Sequence, residues 1–383
     1  MNLPQTDTCA PRAHQLAIEF TGSGSEYFRI WIVNLLLTLV TLGIYLPWAK
    51  ARRLRYFYGN TLVGGEPLGF HGNPRKMFKG YVLIGVLFAL YSAAGNFSVF
   101  AGAVALVLVA AIAPALLRAS MQFRLANTSW RGLRFSFNGS QTAAYRAALP
   151  LLVPGAAIFV GLVAAMYVGV PPAWQSLMSL VILLASLGVL PWLFWKLKQY
   201  QHNNYALASL QTTFTASAGS FYRLLAQIIG VAVMVFALPL VLLAAWAFSQ
   251  RGAAVGPGLF TTAVMSLLPL LAMFSVFVMV KPYLTSRLQN LVWTRTRNNA
   301  LYFLSDLRFK ALLWLTLKNW LLIVLTLGLY WPFAAVAQAR LRLQAVTVYT
   351  LESPDLLVGQ ARAMEGDAAG DAAGDLFGLD IGL

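Results

Sequence analysis

Acidic residues are nearly absent from this sequence. It holds 12 Asp and Glu against 28 Lys and Arg, a net charge of +16, and no carboxylate occurs between Glu66 and Asp306. Proton relays and cation sites in membranes commonly use buried carboxylates, and so does general acid–base catalysis. The absence argues against a cation pump and against carboxylate chemistry in the central part of the chain.

Cysteine and histidine are scarce as well. The single cysteine, Cys9, excludes an intrachain disulfide and a thiolate metal cage, and the three histidines are far apart in the sequence. No nucleotide-binding loop, dinucleotide fingerprint, zinc-protease motif or serine-hydrolase motif is present. We therefore expect no enzymatic activity, no catalytic residues, no cofactor and no metal site.

Charged residues make up only 10% of the chain, and 59% of it is hydrophobic. A soluble protein has about 25% charged residues, and a membrane-crossing helix needs about 20 apolar residues. The composition predicts an all-α polytopic membrane protein with eight hydrophobic segments. They lie at about 30–48, 80–95, 97–117, 147–168, 175–195, 224–248, 260–282 and 312–333.

The connections between these runs alternate in length and charge. Long connections at 49–79, 118–146, 196–223 and 283–311 hold most of the basic residues. Cytoplasmic loops are enriched in Lys and Arg, so the long connections and both termini are expected in the cytoplasm. In a soluble protein the basic excess would suggest nucleic acid. Here membrane orientation explains it, and nucleic acid is not an expected partner.

The long connections share a degenerate repeat, in which a Phe precedes a basic residue by nine positions. The pairs are Phe20 and Arg29, Phe70 and Lys79, Phe137 and Arg146, Phe214 and Arg223, and Phe309 and Lys318. An Asn stands ten positions before four of these Phe residues, and a proline stands further upstream. Several offsets agreeing at once indicate an internal repeat. The alternation of Leu133, Phe135 and Phe137 predicts short strands in these repeated cytoplasmic loops.

The first and last apolar runs are shorter than the others when each is measured from the basic residue of the repeat to the next proline. Residues 29–47 and 318–332 resemble each other, with Thr-Leu-Gly before an aromatic residue and a proline. Two interpretations stay open: each segment re-enters on the side it came from, or each is a single span. The expected membrane domain therefore has six clear transmembrane helices and two terminal segments. Candidate binding residues in the terminal segments are Asn34, Thr38, Thr41, Asn319 and Thr326.

Basic residues after the first run are predicted to contact lipid headgroups. They are Lys50, Arg52, Arg53 and Arg55. Each basic residue near an anionic membrane surface contributes about 1 kcal/mol of attraction. Membrane lipids, anionic ones in particular, are the expected partners, beside a small-molecule cargo.

The chain divides into three parts by composition. Residues 1–19 form an N-terminal tail, residues 20–350 the membrane domain with its internal repeats, and residues 351–383 an acidic tail. The Gly-Asp-Ala-Ala repeat of the last part cannot bury a core, so we expect that tail to be disordered.

Three stretches carry a resemblance to a known family. They are residues 26–29 (Glu-Tyr-Phe-Arg), 41–50 (Thr-Leu-Gly-Ile-Tyr-Leu-Pro-Trp-Ala-Lys) and 55–61 (Arg-Tyr-Phe-Tyr-Gly-Asn-Thr). The sequence from about 20 to 350 resembles the YjgN-like family of bacterial inner-membrane proteins, which is built around a domain of unknown function. The resemblance implies a location and an architecture, and it carries no functional residues over.

Two functions fit these observations. The internal repeats and the terminal segments favour a transporter or channel-like protein, because broken helices in repeat-built transporters often mark a binding site. Without membrane-embedded carboxylates, its cargo is expected to be a neutral or anionic small molecule or a lipid. The alternative is a non-enzymatic scaffold that binds anionic lipid or a partner through its basic cytoplasmic face.

Overall fold

Short strands alternate with long helices along the chain. The computed structural model describes residues 14–152, 171–207, 210–249 and 274–353, with positions 155–156, 161, 168–169, 258, 262, 266–267, 355–356 and 358–359. The predicted runs at 147–168 and 260–282 lie largely outside the described residues.

Eleven strands of the described chain form one antiparallel sheet. They are β1 (His14–Phe20), β2 (Thr61–Val63), β3 (Glu66–Phe70), β4 (Thr128–Trp130), β5 (Leu133–Phe137), β6 (Tyr205–Leu207), β7 (Leu210–Gln211), β8 (Thr213–Phe214), β9 (Thr296–Arg297), β10 (Leu301–Ser305) and β11 (Val346–Thr350). Their order in the sheet is β7-β6-β5-β4-β3-β2-β1-β11-β10-β9-β8.

The strand order returns to its starting point. β7 and β8 stand at opposite ends of the order, yet only Thr212 separates them in the sequence. β1 pairs with β11, and Leu16 lies opposite Val348. Counted as one interrupted strand, β7 and β8 close the order, and the sheet is a ring of five strand pairs, which we call the strand ring. Four pairs are local, and the fifth joins strands more than three hundred residues apart.

Helices connect the strand pairs. They are α1 (Gly24–Val40), α2 (Leu46–Gly59), α3 (Pro74–Phe97), α4 (Val99–Ala126), α5 (Gln141–Ala148), α6 (Pro172–His202), α7 (Ala218–Ser249), α8 (Lys281–Thr294), α9 (Phe309–Leu325) and α10 (Trp331–Gln344). A 3₁₀ turn at Leu149–Leu152 follows α5, and a π-helix at Val276–Val280 precedes α8.

The repeated Asn-Thr ends a helix in each of the first two units. Nδ2 of Asn60 and of Asn127 donates to the backbone carbonyl four positions earlier, at 2.8 and 2.7 Å. The hydroxyl of the following threonine does the same. These bonds satisfy carbonyls that a helix end leaves without an intrahelical partner. The repeated motif is therefore a helix cap that starts the next strand.

In three of the strand pairs, the repeated Phe packs against a glycine two positions further along the chain. Phe20, Phe70 and Phe137 are buried, and a Gly follows each of them two positions later. A Cβ on Gly139 would lie 2.6 Å from the Phe137 ring and 2.7 Å from the Tyr200 hydroxyl. The Phe137 side chain can therefore pack against the backbone at residue 139 only because glycine has no side chain.

The fourth unit begins four residues earlier than the spacing of Asn299 and Phe309 predicted. Arg295 occupies the helix C-cap, and Ser305 ends the strand. Thirteen residues then separate Pro282 from Arg295, as they separate Pro47 from Asn60. Trp314, not Lys318, consequently matches Arg29 of the first unit.

The predicted all-α fold with eight membrane segments is wrong. In the described chain four helices are long and apolar enough to cross a membrane, namely Pro74–Phe97, Phe100–Ala126, Ala173–His202 and Ala218–Ala237. The strands are not confined to separate loops, since they pair into one ring. Hydropathy is a property of each apolar run alone. It therefore included the terminal runs among the eight membrane segments, and it contains no information on pairing between distant strands.

Apolar side chains from several strands fill the strand ring. Leu16, Trp130, Leu133, Val348 and Val358 are buried against one another. Val358 belongs to the stretch predicted as the acidic tail, and β1 begins at His14 within the stretch predicted as the N-terminal tail. The interior of the ring is therefore a packed core along its described residues.

Candidate functional site

Both terminal runs are helix pairs with a tight turn between them. α1 and α2 are separated by residues 41–45, and α9 and α10 by residues 326–330. β1 and β2 pair with Phe20 opposite Thr61, so the chain leaves and re-joins the ring at one place. A helix of 17 residues such as α1 is about 25 Å long, shorter than the roughly 30 Å hydrocarbon core.

The predicted binding residues Thr41 and Thr326 stabilise these turns. The hydroxyl of Thr41 donates to the Leu37 carbonyl at 2.7 Å and accepts from the Tyr45 backbone N–H at 3.1 Å. Thr326 makes the equivalent bonds to Leu322 and Tyr330. Both hydroxyls are thus used within the turn, where they satisfy backbone groups that lipid would not.

The residue after each threonine adopts the left-handed conformation. Leu42 has φ of 49° and Leu327 has φ of 51°, and each is followed by a glycine with positive φ. Such a conformation costs a non-glycine residue about 1–2 kcal/mol. The side chains of Leu42 and Leu327 are 93% and 95% exposed. Each tip therefore presents an apolar residue outward at the far end of its helix pair.

The predicted residues Asn34 and Asn319 hold equivalent positions on α1 and α9. Both are buried, and Oδ1 of each has no hydrogen-bond partner among the described residues. Nδ2 of Asn319 lies 3.5 Å from the Ala334 carbonyl on α10. A buried acceptor without a partner is rare and marks a place for water or a ligand donor.

These candidates form two groups, not one site. The hydroxyl of Thr38 donates to the Asn34 carbonyl at 2.6 Å, which ties those two residues together on α1. No hydrogen bond joins the group on α1 to Asn319 in the described part of the chain. The two helix pairs instead meet through aromatic rings, with Trp31 and Trp331 6.1 Å apart between ring centres.

The predicted lipid-contact residues lie on α2 and are exposed. The ammonium of Lys50 stands 5.5 Å from the centre of the Tyr81 ring. Nη2 of Arg55 donates to the Gly72 carbonyl at 3.3 Å. Arg52 and Arg53 make no hydrogen bond or ion pair in the described chain. Two of the four residues therefore contact the protein itself, while the other two face outward.

The bond from Arg55 recurs elsewhere in the fold. Nε of Arg118 donates to the Gly139 carbonyl at 2.7 Å, and Nη2 of Arg340 donates to the Gly22 carbonyl at 2.8 Å. Each accepting glycine is the small residue behind a repeated Phe. Part of the basic charge therefore holds together the junctions between the strand ring and the next helix.

A cleft between α9 and α10 brings together residues that the sequence did not predict as a site. Its volume is about 480 Å³, and Trp314, Lys318, Arg340 and Gln344 supply its polar and aromatic lining. The lining positions on α9 recur at helical spacing, and so do those on α10. That period was visible in the sequence, but only the turn at residues 326–330 shows that the two faces meet.

Comparisons with known proteins give a family and three relatives. A family model described as a bacterial protein of unknown function (DUF898) matches residues 15–376. Inner membrane protein YjgN of Salmonella typhimurium is 32% identical over 149 residues, which are 37% of this chain and 36% of that protein. The proteins of the same name from Escherichia coli O157:H7 and K12 are 35% and 34% identical.

The matched stretches are short. In both Escherichia coli relatives they cover 32% of this chain and 31% of the relative. The aligned part of the chain therefore spans about a third of the length of these curated relatives. No solved structure matches the chain significantly.

Proposed function

Because the chain belongs to the DUF898 family, whose members are described as bacterial proteins of unknown function, we propose from its own geometry that it binds membrane lipid between its helix pairs and moves it across the inner membrane. The resemblance to the YjgN-like family is confirmed. The relatives are inner membrane proteins and the described chain has four membrane-crossing candidates, so this is a multi-pass inner-membrane protein.

The observation that supports the proposal is the exposed apolar surface of the four candidate spans. In the most apolar stretch of each candidate span, only 6% to 11% of the residues are buried within the protein. Among the described elements, α3 packs mainly on α4, and α6 packs on α7 and on the short helix α5. Apolar helix surface in a bilayer that no protein covers is covered by acyl chains. Lipid therefore has access to the spaces between the pairs.

The filled strand ring favours a lateral route over an axial one. Leu133 and Trp130 are 1% and 7% exposed, and they pack with Val348 inside the ring. A water-soluble cargo moving along the ring axis would have to displace this core. A lipid needs no such opening, since it enters from the bilayer side.

The charge pattern limits the cargo. No carboxylate occurs between Glu66 and Asp306, a stretch that includes all four candidate spans. A cationic cargo would cross that region without a counter-charge. Neutral or anionic lipid therefore fits better than a cation, and the proposal assigns no enzymatic step.

A non-enzymatic scaffold is the second candidate. The exposed side chain of Arg52, which has no partner in the described chain, favours it, because such a residue can attract anionic lipid without moving it. A scaffold binds anionic vesicles but leaves the exchange of lipid between leaflets unchanged.

Reconstitution into vesicles separates the two functions. Vesicles carrying a fluorescent phospholipid in both leaflets are treated with dithionite, which bleaches only the outer leaflet. We expect the protein to increase bleaching beyond the half reached in protein-free vesicles. Bleaching that stops at the protein-free level, with the protein inserted and folded, would contradict lipid movement and favour the scaffold.

A further inference from the structure

The cleft between α9 and α10 can be compared with the equivalent surface between α1 and α2 of the same molecule. A constant offset relates α1 and α2 to α9 and α10, since Asn34, Gly43 and Pro47 match Asn319, Gly328 and Pro332. On the first pair, the Tyr56 hydroxyl lies 2.7 Å from the Ser23 carbonyl and 3.2 Å from Oε2 of Glu26. Tyr56 and Glu26 together bridge the two helices there.

Residues differ between the two helix pairs at three equivalent positions, and these differences leave the α9–α10 cleft open and positively charged. Leu341 stands at the position of Tyr56, and Ala311 at the position of Glu26, so the polar bridge is missing. Lys318 stands at the position of Val33. Compared with its counterpart, the α9–α10 cleft has lost a carboxylate and gained a cation, and none of its lining residues is acidic.

Arg340 is held in place at the cleft wall. Its Nη2 donates to the Gly22 carbonyl, and its other N–H groups have no acceptor in the described chain. Lys318 makes no hydrogen bond or ion pair among the described residues. The two cations therefore share one cleft without a protein counter-charge, and paired positive groups of this kind suit a phosphate.

The residues around the cleft fit a position near a membrane interface. Lys318 lies nine residues after Phe309, about 13 Å along the helix from its start. Trp314, which lines the cleft, is 74% exposed, and Trp is enriched where lipid headgroups meet hydrocarbon. A basic pocket between helices at this depth is suited to a lipid headgroup.

We propose that the α9–α10 cleft is a binding site for the headgroup of an anionic phospholipid, with Lys318 and Arg340 on its phosphate and the acyl chains along the exposed face of Trp314. The inference rests on the proposed lipid function and names its substrate class. It assigns to Lys318 a role that the matching position in α1 does not have.

Binding of phosphatidylglycerol to the purified full chain, titrated in detergent and read by native mass spectrometry, tests the site. We expect K318A to weaken binding about fivefold, the effect of one basic residue near an anionic group. K310A is the matched control, since Lys310 is exposed on the same helix and does not line the cleft. It should bind as the unmodified protein does.

A second variant closes the cleft and keeps both cations. A311E combined with L341Y rebuilds the bridge seen between Glu26 and Tyr56, and we expect it to abolish saturable binding. Equal affinity in K318A, K310A and the closed variant would overturn the site. Competition by inorganic phosphate as strong as by phosphatidylglycerol would also overturn it, since the site would then recognise a free anion.

The same variants in the dithionite assay separate this inference from the proposed function. Selective loss of phosphatidylglycerol binding in K318A supports the cleft even if the unmodified protein moves no lipid, which would defeat the proposed function alone. Lipid movement by the unmodified protein, with unchanged binding in all variants, would defeat the cleft alone.

Discussion

Several polar residues of the repeat form hydrogen bonds with the backbone of the protein itself. Asn60 and Asn127 cap helices, and Thr41 and Thr326 close turns. The sequence showed their recurrence, but spacing alone does not separate a cap from a binding residue. The hydrogen bonds do, because each cap has a backbone partner, whereas Oδ1 of Asn34 and of Asn319 has none in the described chain.

Gly139, two positions after the repeated Phe137, gives the first prediction. We expect G139A to destabilise the protein by about 1–3 kcal/mol, since its Cβ would meet the Phe137 ring at 2.6 Å. Thermal unfolding in detergent measures the change. G80A is the control, because a Cβ there meets nothing within 4 Å. Equal melting temperatures for both variants would show that the Phe ring does not constrain the backbone.

The turn threonines give a second prediction. We expect T41V to cost about 1 kcal/mol, because the Tyr45 backbone N–H loses its acceptor. T38V is the matched control on the same helix, since the Thr38 hydroxyl donates to a helix carbonyl and no backbone N–H is bonded to it. A melting temperature that falls further for T38V than for T41V would contradict the role given to the turn.

At the scale of elements, the sequence predicted that short strands occur in the repeated connections, but it predicted neither the number of membrane-crossing helices nor the pairing of the strands. The short strand β5 agrees with the repeat pattern, whereas α3 begins at Pro74, five residues before the basic residue Lys79 of the repeat. Local signals cannot reveal that β1 pairs with β11, because that pairing depends on chain closure and not on neighbouring residues. The cleft was missed for the same reason, since Lys318 and Arg340 meet only after the chain turns.

The contacts of Asp355 and Val358 with the strand ring give a third prediction. Val358 is buried with Leu16 and Trp130, whereas the carboxylate of Asp355, 2.6 Å from Arg131, belongs to a side chain that is 90% exposed. We expect V358A to cost about 1–3 kcal/mol and D355N at most about 1 kcal/mol. Thermal unfolding compares them, and the reverse order would contradict docking through the apolar contact.

At the scale of the whole molecule, the strand ring organises the membrane helices. Five strand pairs lie in one sheet, so we expect the helices between them to leave and return on one side of the membrane. A terminal helix of 17 residues is about 25 Å long, too short to span, so we expect the exposed tips at Leu42 and Leu327 to lie inside the bilayer. Lipid access between the pairs and the cleft at α9 both depend on this arrangement.

Labelling of single cysteines by a membrane-impermeant maleimide in oriented vesicles tests that arrangement most directly. In a C9S background, cysteines replace the exposed residues Gln15, Glu66, Arg134, Gln211 and Tyr302, one from each strand pair. All five are predicted to react from the same side, and L42C from neither side. Reaction of any strand-pair cysteine from the opposite side would show that the strand ring does not lie on one side of the membrane. Reaction of L42C from the side opposite the ring would show that α1 and α2 cross the bilayer.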